Sequence, residues 1–497
     1  MLKTLPNIKY TELNQSQVPP ITLRGIHGLI AQSQYGPADK PYLIQSVQQF
    51  LDTFGSFGAA SPFFAQIRRA LARGVNLWFQ RLVATGATAA SVDLDTSLVT
   101  VNAVEVGSWA NGALKVEYTP TGDGTPAQLK VTYTGNSNRN EIWQGDTLAA
   151  LIATINAASK LITITTADGF VEPASSVDDP IALSGGTDGT FANTAARDTA
   201  VNALFAKFNN VIDIDSIGAM GSYSEDHYGN LLTYVESRQD TMGVFEIDPA
   251  LTPNNAVAFA ETISATPSQY MAVYYGSTLT AYSPEQGAVV AGPILADVQA
   301  VWAVSDTVQG NKYSAPAGAR RGLIPNVQTF ANNMLSAANQ TVANQLVSLG
   351  VNIVGSDRAY GPVVWGAETF ANGDTAFDSI NVRRTMTSLR EQLSPIFRSE
   401  IFQPQDPVSW RDAYTKCKTK LDAMVTDKAI YPGWIYVGDQ ESSVVSDAKY
   451  NTANDLANGK YKVKITVVPI GYISAIDITM IADNLTTLFN DSAAQLA

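Results

Sequence analysis

The chain has 497 residues, of which 45% are hydrophobic and 15% are charged, and 45 acidic residues outnumber 32 lysines and arginines to give a net charge of −13. This composition can bury several cores and excludes a chain that is disordered throughout. The acidic balance repels phosphate, so we expect no direct nucleic-acid partner.

The first 24 residues predict an extended N-terminal arm. They contain Pro19-Pro20, show no apolar period and lack the apolar run of a signal peptide. The most apolar stretch, 288–304, is interrupted by Pro293 and Asp297, which predicts a buried helix and no membrane anchor.

Residues 25–83 predict the N-terminal part of a core. Ser46 is a candidate cap for a short helix that reaches Phe54, and a second helix begins at Ser61-Pro62 and stops at Gly74. Two strands flank these helices, over 26–33 and 76–83.

Residues 84–190 predict a β-rich insertion domain. The segment is rich in threonine, glycine, serine and aspartate, and its apolar residues alternate with polar ones, as in antiparallel sheets. One helix, 147–158, interrupts it, and a Gly-Gly-Thr-Asp-Gly loop at 185–189 ends it, which we interpret as a flexible connector.

Residues 191–362 predict an α/β domain. Helices over 194–208, 224–238 and 255–264 each precede a strand, over 211–217, 243–247 and 270–275, and such alternation favours a parallel sheet covered by helices. Two long helices, 288–305 and 325–346, are expected to follow.

Residues 363–483 predict an α+β domain, followed by a short tail over 484–497. Apolar residues recur at helical spacing over 379–399 and 407–426. Strands are expected over 434–438, 461–468 and 474–481. The fold class is therefore multidomain, with α/β and α+β domains and a β-rich insertion.

The sequence offers almost no catalytic chemistry. Its only histidines are His27 and His227, which we interpret as structural or surface residues, and no G-x-S-x-G or phosphate-binding glycine motif is present. Cys417, the only cysteine, lies on the apolar face of its predicted helix, and we interpret it as a buried core thiol. The acidic pairs at 93/95 and 213/215 do not continue as EF-hand loops. We therefore predict a protein that is not an enzyme, with no catalytic, cofactor or metal site.

Short motifs occur in a fixed order along the chain. They are Tyr35-Gly36-Pro37 with Phe54-Gly55, Leu77-Trp78, Leu183 to Gly189, Tyr313 to Ala317, Leu349 to Asn352, Val364 to Ala367, Ile380 to Arg384, and Phe402-Gln403-Pro404 with Trp410. Together and in this order they resemble the contractile tail sheath family of phages, which is related to contractile bacteriocin and type VI secretion sheaths. Gly318 and Glu368 depart from the family's usual asparagine and arginine.

The resemblance implies a structural subunit that polymerises as hexameric rings in a helical array around a tail tube and contracts to drive the tube through a host envelope. It implies a subtilisin-like middle domain at 191–362, the insertion on the outer surface, and residues 363–483 facing the tube. Neighbouring subunits would exchange strands through their terminal arms, and the tube, baseplate and tail terminator proteins would be further partners. The expected location is the virion, after assembly in the host cytoplasm.

The same resemblance makes Arg383 and Arg384 candidates for contacts with the tube or a neighbouring subunit. The alternative is an ordinary amphipathic helix that carries two exposed arginines. For the whole chain, the alternatives are another self-assembling virion or surface-layer protein and an α/β hydrolase that uses one of the two histidines.

Overall fold

The computed structural model describes residues 25–474, apart from 57, 59–60, 96–97, 122–124, 171–176, 285, 308–311, 372 and 374–376. The predicted arm, the predicted tail and nearly all of the strand expected over 474–481 lie outside the described residues. Among the described residues, no helix combines the length and apolar character needed to cross a membrane.

The N-terminal part forms helices and strands close to the predicted ones. Ser46 caps the first helix by accepting a hydrogen bond from the Gln49 amide. Gly74 follows the second helix with a φ of 82°, a backbone conformation that favours glycine at a helix end. The elements are β1 (Ile26–Ala31), β2 (Tyr42–Ile44), α1 (Val47–Phe54), α2 (Phe64–Ala72) and β3 (Asn76–Arg81).

The insertion consists of two small antiparallel sheets that enclose a separate apolar core with one helix. Its elements are β4 (Ser91–Asp95), β5 (Val99–Ala103), β6 (Leu114–Thr119), β7 (Ala127–Tyr133), β8 (Glu141–Gly145), α3 (Leu148–Ala158), β9 (Ile162–Thr166) and β10 (Val177–Ala182). Its two ends lie side by side, because the Thr190 amide donates to Thr85 O at 3.1 Å and Thr88 bridges Thr187. The insertion therefore leaves and rejoins the core at one place.

The third region contributes most of the central sheet. Its elements are α4 (Thr194–Leu204), β11 (Ser216–Ala219), α5 (Glu225–Arg238), β12 (Met242–Glu246), α6 (Pro253–Ile263), β13 (Met271–Tyr275), β14 (Leu279–Ser283), β15 (Ala288–Gly292), α7 (Leu295–Thr307), α8 (Gly318–Arg321), β16 (Val327–Phe330), α9 (Gln340–Ser348), β17 (Val351–Asp357) and β18 (Gly361–Trp365). The expected alternation of helices and strands is confirmed for β11 to β13.

The central sheet has eight described strands in the order β18-β17-β13-β12-β11-β1-β3-β2, and only the two outermost pairs are antiparallel. Residues 25–83 and the third region thus share one sheet. β18 runs across the predicted boundary between residues 362 and 363, so this sheet extends past that boundary.

Each face of the sheet is covered by helices over its own core. Side chains alternate between the two faces along each strand, so Ala272 and Tyr274 join one core while Met271 and Val273 join the other. Helices α1, α2 and α7 cover the first face around Trp302. Helices α4, α5, α6 and α9 cover the second face.

The prediction of two long helices over 288–305 and 325–346 is wrong for the first residues of each range. Residues 288–292 form β15, and the following Pro293 separates this strand from the helix. The apolar run before Gly292 is too short for its pattern to distinguish a strand from a helix. Residues 327–330 form β16, and Asn326 takes a positive φ of 64° that no helix accommodates. Helices α7 and α9 begin only after these strands.

The C-terminal region forms two long helices and a two-stranded sheet. Its elements are α10 (Ile380–Glu400), α11 (Pro407–Thr426), β19 (Ile435–Val437), α12 (Ala453–Ala457) and β20 (Lys464–Thr466). The bounds of α11 match the prediction because Asp406 caps its first turn, with Ser409 N donating at 2.9 Å, and Pro407 occupies its first position.

Candidate assembly surface

The C-terminal module, residues 380–474, has a small core of its own. Leu389 and Leu393 of α10 pack against Cys417 and Leu421 of α11, and Tyr436 of β19 closes the cluster. Cys417 is buried as predicted, and burial raises the pKa of its thiol to about 11.

The sheet of this module is short, and both of its outer edges are open in the described part of the chain. β19 pairs only with β20, in antiparallel register with Ile435 opposite Thr466. Backbone hydrogen bonds extend the pairing beyond the strands, from Tyr431 N to Val468 O and from Ile470 N to Ala429 O. An edge without a neighbouring strand can pair with an added one, although the Gln440 side chain already accepts from Gly438 N and donates to Tyr436 O beside β19.

Apolar side chains around this sheet face solvent. Ile473 is 79% exposed, Val468 is 60% exposed and Ile435 is 56% exposed. Burying such apolar side chains away from water would lower the free energy. Tyr431, Val444 and Val445 extend the same exposed set. A concentration of exposed apolar side chains on one folded unit indicates an interaction site.

A second apolar feature lies at the tip between α10 and α11. Phe402 is fully exposed, and its φ of 71° is a left-handed conformation that is unfavourable for a large side chain. Ile401 and Val408 beside it in the sequence are 58% and 71% exposed. We call Ile401, Phe402 and Val408 the hairpin tip. The open sheet and the hairpin tip together form the candidate assembly surface.

Arg384 lies inside the subunit and not on its surface. Its guanidinium donates to both carboxylate oxygens of Asp306 at the end of α7, with Nη1 to Oδ1 at 3.0 Å, and Asp215 Oδ1 lies 3.8 Å from Nη2. The guanidinium carbon is 5.0 Å from the Trp302 ring centroid. Burial opposes the charge, yet the carboxylates of Asp306 and Asp215 raise the pKa of Arg384.

Arg383 is also largely buried. It donates to Gln269 Oε1 at 2.8 Å and lies over the rings of Tyr270 and Phe377, 4.7 and 4.9 Å from their centroids. The expectation of two exposed arginines is therefore wrong, because the first turns of α10 pack against the central sheet. Contact with a tube or neighbour through Arg383 and Arg384 stays a prediction, and their internal partners account for both side chains without it.

Both histidines are buried, His27 on β1 and His227 on α5. His27 Nδ1 lies 2.8 Å from Ser216 Oγ, and His227 Nδ1 lies 3.0 Å from Asn202 Oδ1 with its ring stacked on Phe205. His27 and His227 are 0% and 1% exposed, so a substrate has no access to either imidazole. This burial argues against the hydrolase alternative and supports the structural interpretation of both residues.

The histidines predict a loss of stability in acid. Burial lowers the pKa of His27 and of His227 to about 4, below the value of 6.5 in an unfolded chain. The unfolded state therefore binds more protons between these values, and stability falls as the pH falls through this window. We expect His27→Gln and His227→Gln each to reduce the difference in unfolding free energy between pH 7 and pH 4.5 by about 2 kcal/mol in urea titrations. An unchanged pH dependence in both variants would contradict this account.

The Gly-Gly-Thr-Asp-Gly loop is a hydrogen-bonded junction and not a free connector. Asp188 accepts from the amide and hydroxyl of Ser108 at 2.7 and 2.6 Å, and Asn111 and Gly186 exchange two hydrogen bonds. A Cβ on Gly186 would lie 2.4 Å from Gly107 O, so glycine is required there. The interpretation as a flexible connector missed these partners because they lie about 80 residues away in sequence.

Sequence comparisons find similarity to the same kind of protein that the motifs resemble. No family model matches the chain. It is 24% identical over 293 residues to the tail sheath protein of Vibrio phage KVP40, which covers 58% of this chain and 41% of that protein. It is 26% identical over 190 residues to the tail sheath protein of Enterobacteria phage T4, covering 38% and 27%. The matched region thus spans less than half of these curated relatives.

Solved structures share the fold over most of the chain. A sheath tail protein from Listeria innocua aligns with a TM-score of 0.60 at 13% identity, covering 90% of this chain and 95% of that one. One from Desulfitobacterium hafniense gives 0.58 at 16% identity, covering 88% and 94%. The contracted PVC sheath of an extracellular contractile injection system gives 0.55 at 14% identity, covering 98% and 99%. The resemblance to tail sheath proteins and the mixed α/β multidomain class are confirmed, and the subtilisin-like comparison stays a prediction.

Proposed function

We propose that this chain is the structural subunit of a contractile tail sheath, which polymerises as hexameric rings in a helical array around a tail tube. The candidate assembly surface is the observation that carries the proposal, since a subunit that functioned alone would gain nothing from exposing so many apolar side chains on one module. Similarity to phage tail sheath proteins and to the contracted PVC sheath supports it.

Subunits would be linked by strand exchange. A terminal arm of one subunit, from residues 1–24 or from the C-terminal tail, would add to an open edge of the β19–β20 sheet of a neighbour. The added strand would satisfy edge backbone groups and cover apolar side chains such as Ile435 and Val468. Because donor and acceptor surfaces differ, the contact is head-to-tail and builds rings and helices.

Contraction would draw on surface burial and not on a chemical step. At about 25 cal/mol per Å² of apolar surface, a few hundred Å² of additional contact per subunit supplies several kcal/mol. The central sheet with its helices, the insertion and the C-terminal module would move as rigid bodies while the arms stay joined. In this arrangement the insertion lies outside, the C-terminal module faces the tube, and tube, baseplate and terminator proteins are the other partners in the virion.

Removing residues 1–18 tests the proposal. We expect a folded monomer that no longer forms long tubes, because the donor strand is lost while the described core is intact. Negative-stain electron microscopy at high protein concentration measures the outcome, and circular dichroism with size-exclusion chromatography checks the fold. Long striated tubes from the truncated chain would rule out exchange through this arm. Closed shells or flat lattices from the full chain would favour a capsid or surface-layer protein instead.

A further inference from the structure

A cavity of about 340 Å³ opens at the carboxyl ends of three neighbouring parallel strands. Gln32 follows β1, Ala84 lies just beyond β3 and Gly221 follows β11, and all three line the cavity. In open parallel sheets, ligands bind at the carboxyl edge where the chain switches from one side of the sheet to the other. Here β1 is that point, because β3 lies on one side of it and β11, the first strand after the insertion, lies on the other.

One half-buried arginine projects into the wall of this cavity. Arg197 donates from Nη1 to Gly221 O at 3.0 Å and from Nη2 to Gln32 Oε1, and its Nε is buried without an acceptor in the described part of the chain. The guanidinium carbon lies 5.5 Å from the Phe191 ring centroid. Both partners of its donors are neutral, and the adjacent Asp198 pairs with Ser224 instead.

Among the described residues, the charge of Arg197 therefore has no countercharge at hydrogen-bonding distance. Withdrawing a cation from water is costly unless an anion accompanies it. Desolvation lowers the pKa of Arg197, as expected for a cation that burial leaves incompletely compensated. The first turn of α4, at Asn193 and Thr194, lines the same cavity and adds the favourable field of a helix N-terminus for negative charge.

We propose that the Arg197 cavity is a binding site for a carboxylate group. Its volume admits a small organic acid or one inserted acidic side chain, and the rim residues Thr190 and Thr194 are exposed and polar. Two sources share this chemistry, a free carboxylate in solution and an aspartate or glutamate of a second copy of this chain. The carboxylate site itself does not depend on the proposed function, because it lies away from the C-terminal module, whereas the second-copy source rests on that function.

Thermal unfolding of the full chain tests the site, with sodium acetate and sodium citrate compared with sodium chloride at equal ionic strength. Acetate and citrate are also excluded from protein surfaces and therefore stabilise both proteins. Beyond that shared effect, we expect them to raise the melting temperature of the wild type by about 2–4 °C more than that of Arg197→Gln. Arg390→Gln, which alters an exposed arginine on α10, should respond like the wild type. Equal responses of the wild type and Arg197→Gln would overturn the proposal.

Two further variants keep the test decisive if Arg197→Gln folds poorly. Arg197→Lys retains the charge and should retain a carboxylate response, whereas Thr190→Trp keeps the arginine and should abolish the response by filling the cavity from its rim. A carboxylate response in Thr190→Trp as large as that of the wild type would overturn the proposal.

Assembly distinguishes the two sources. If a second copy supplies the group, acetate should slow tube formation of the wild type, and Arg197→Gln should raise the protein concentration needed for assembly. If the source is a free carboxylate, tubes should form equally well in both proteins while the thermal response persists. Each result identifies a carboxylate site, and absence of both effects would refute it.

Discussion

Replacing Arg384 by alanine is expected to lower the free energy of unfolding by about 3–5 kcal/mol, the cost of leaving a buried ion pair with one partner. The side chains of Arg384 and Asp306 are only 4% and 1% exposed, so water cannot solvate the carboxylate that remains. The pair joins residues 78 positions apart, on α10 and α7, and so fastens the C-terminal module to the central sheet. Urea unfolding measures the loss, and hydrogen exchange over α10 and α11 should rise well above that of the insertion.

The control for this prediction is Arg390→Ala, an exposed arginine on the same helix, which should change stability by less than about 0.5 kcal/mol. A double variant, Arg384→Met with Asp306→Leu, removes the buried pair and leaves only the partly exposed Asp215 without this cation, so it should regain part of the lost stability. If Arg384→Ala unfolds like Arg390→Ala, the ion pair does not fasten the C-terminal module to the central sheet.

Replacing Phe402 by asparagine is expected to raise the protein concentration needed for tube formation more than tenfold, without loss of monomer stability. The ring is fully exposed, so its removal sacrifices no packing, and asparagine tolerates the left-handed backbone at this position better than phenylalanine does. An aromatic anchor that enters a partner's pocket contributes at least about 2 kcal/mol, which corresponds to a more than tenfold rise in the concentration needed for assembly. Sedimentation of assembled tubes over a protein concentration series measures this threshold.

The matched control is Ile142→Ser, which removes another exposed apolar side chain from the insertion, 63% exposed on β8. Under the proposed function it should leave the assembly threshold unchanged or alter it far less than Phe402→Asn does. Equal effects of the two substitutions would show that general surface hydrophobicity, and not the hairpin tip, controls assembly.

Local patterns predicted much of the fold. The capping residue Asp406 and Pro407 fixed the start of α11, and the three helix–strand pairs between residues 194 and 275 predicted the parallel sheet. The helix assignment failed at 288–292, because a five-residue apolar run has no period that separates a strand from a helix.

The candidate site was harder to predict, because exposure depends on contacts distant in sequence. Helical spacing puts Arg384 on α10, but only the fold brings Asp306 and Asp215 to it and buries the Arg384–Asp306 pair. The motif around Phe402 is visible in the sequence. Apolar residues normally predict burial, however, and nothing local indicates that this ring faces solvent. The Arg197 cavity is assembled from three strand ends and left no signal in the sequence.

The side-by-side ends of the insertion have a consequence for how this chain tolerates change in length. Because Thr85 and Thr190 are already hydrogen-bonded to each other, a short turn could join them without displacing β3 or α4. Roughly a hundred residues thus attach to the core as a single appendage, and their gain, loss or exchange in related genes would leave the strand order of the central sheet untouched. For protein engineering, the same junction is a natural point at which to graft a foreign domain.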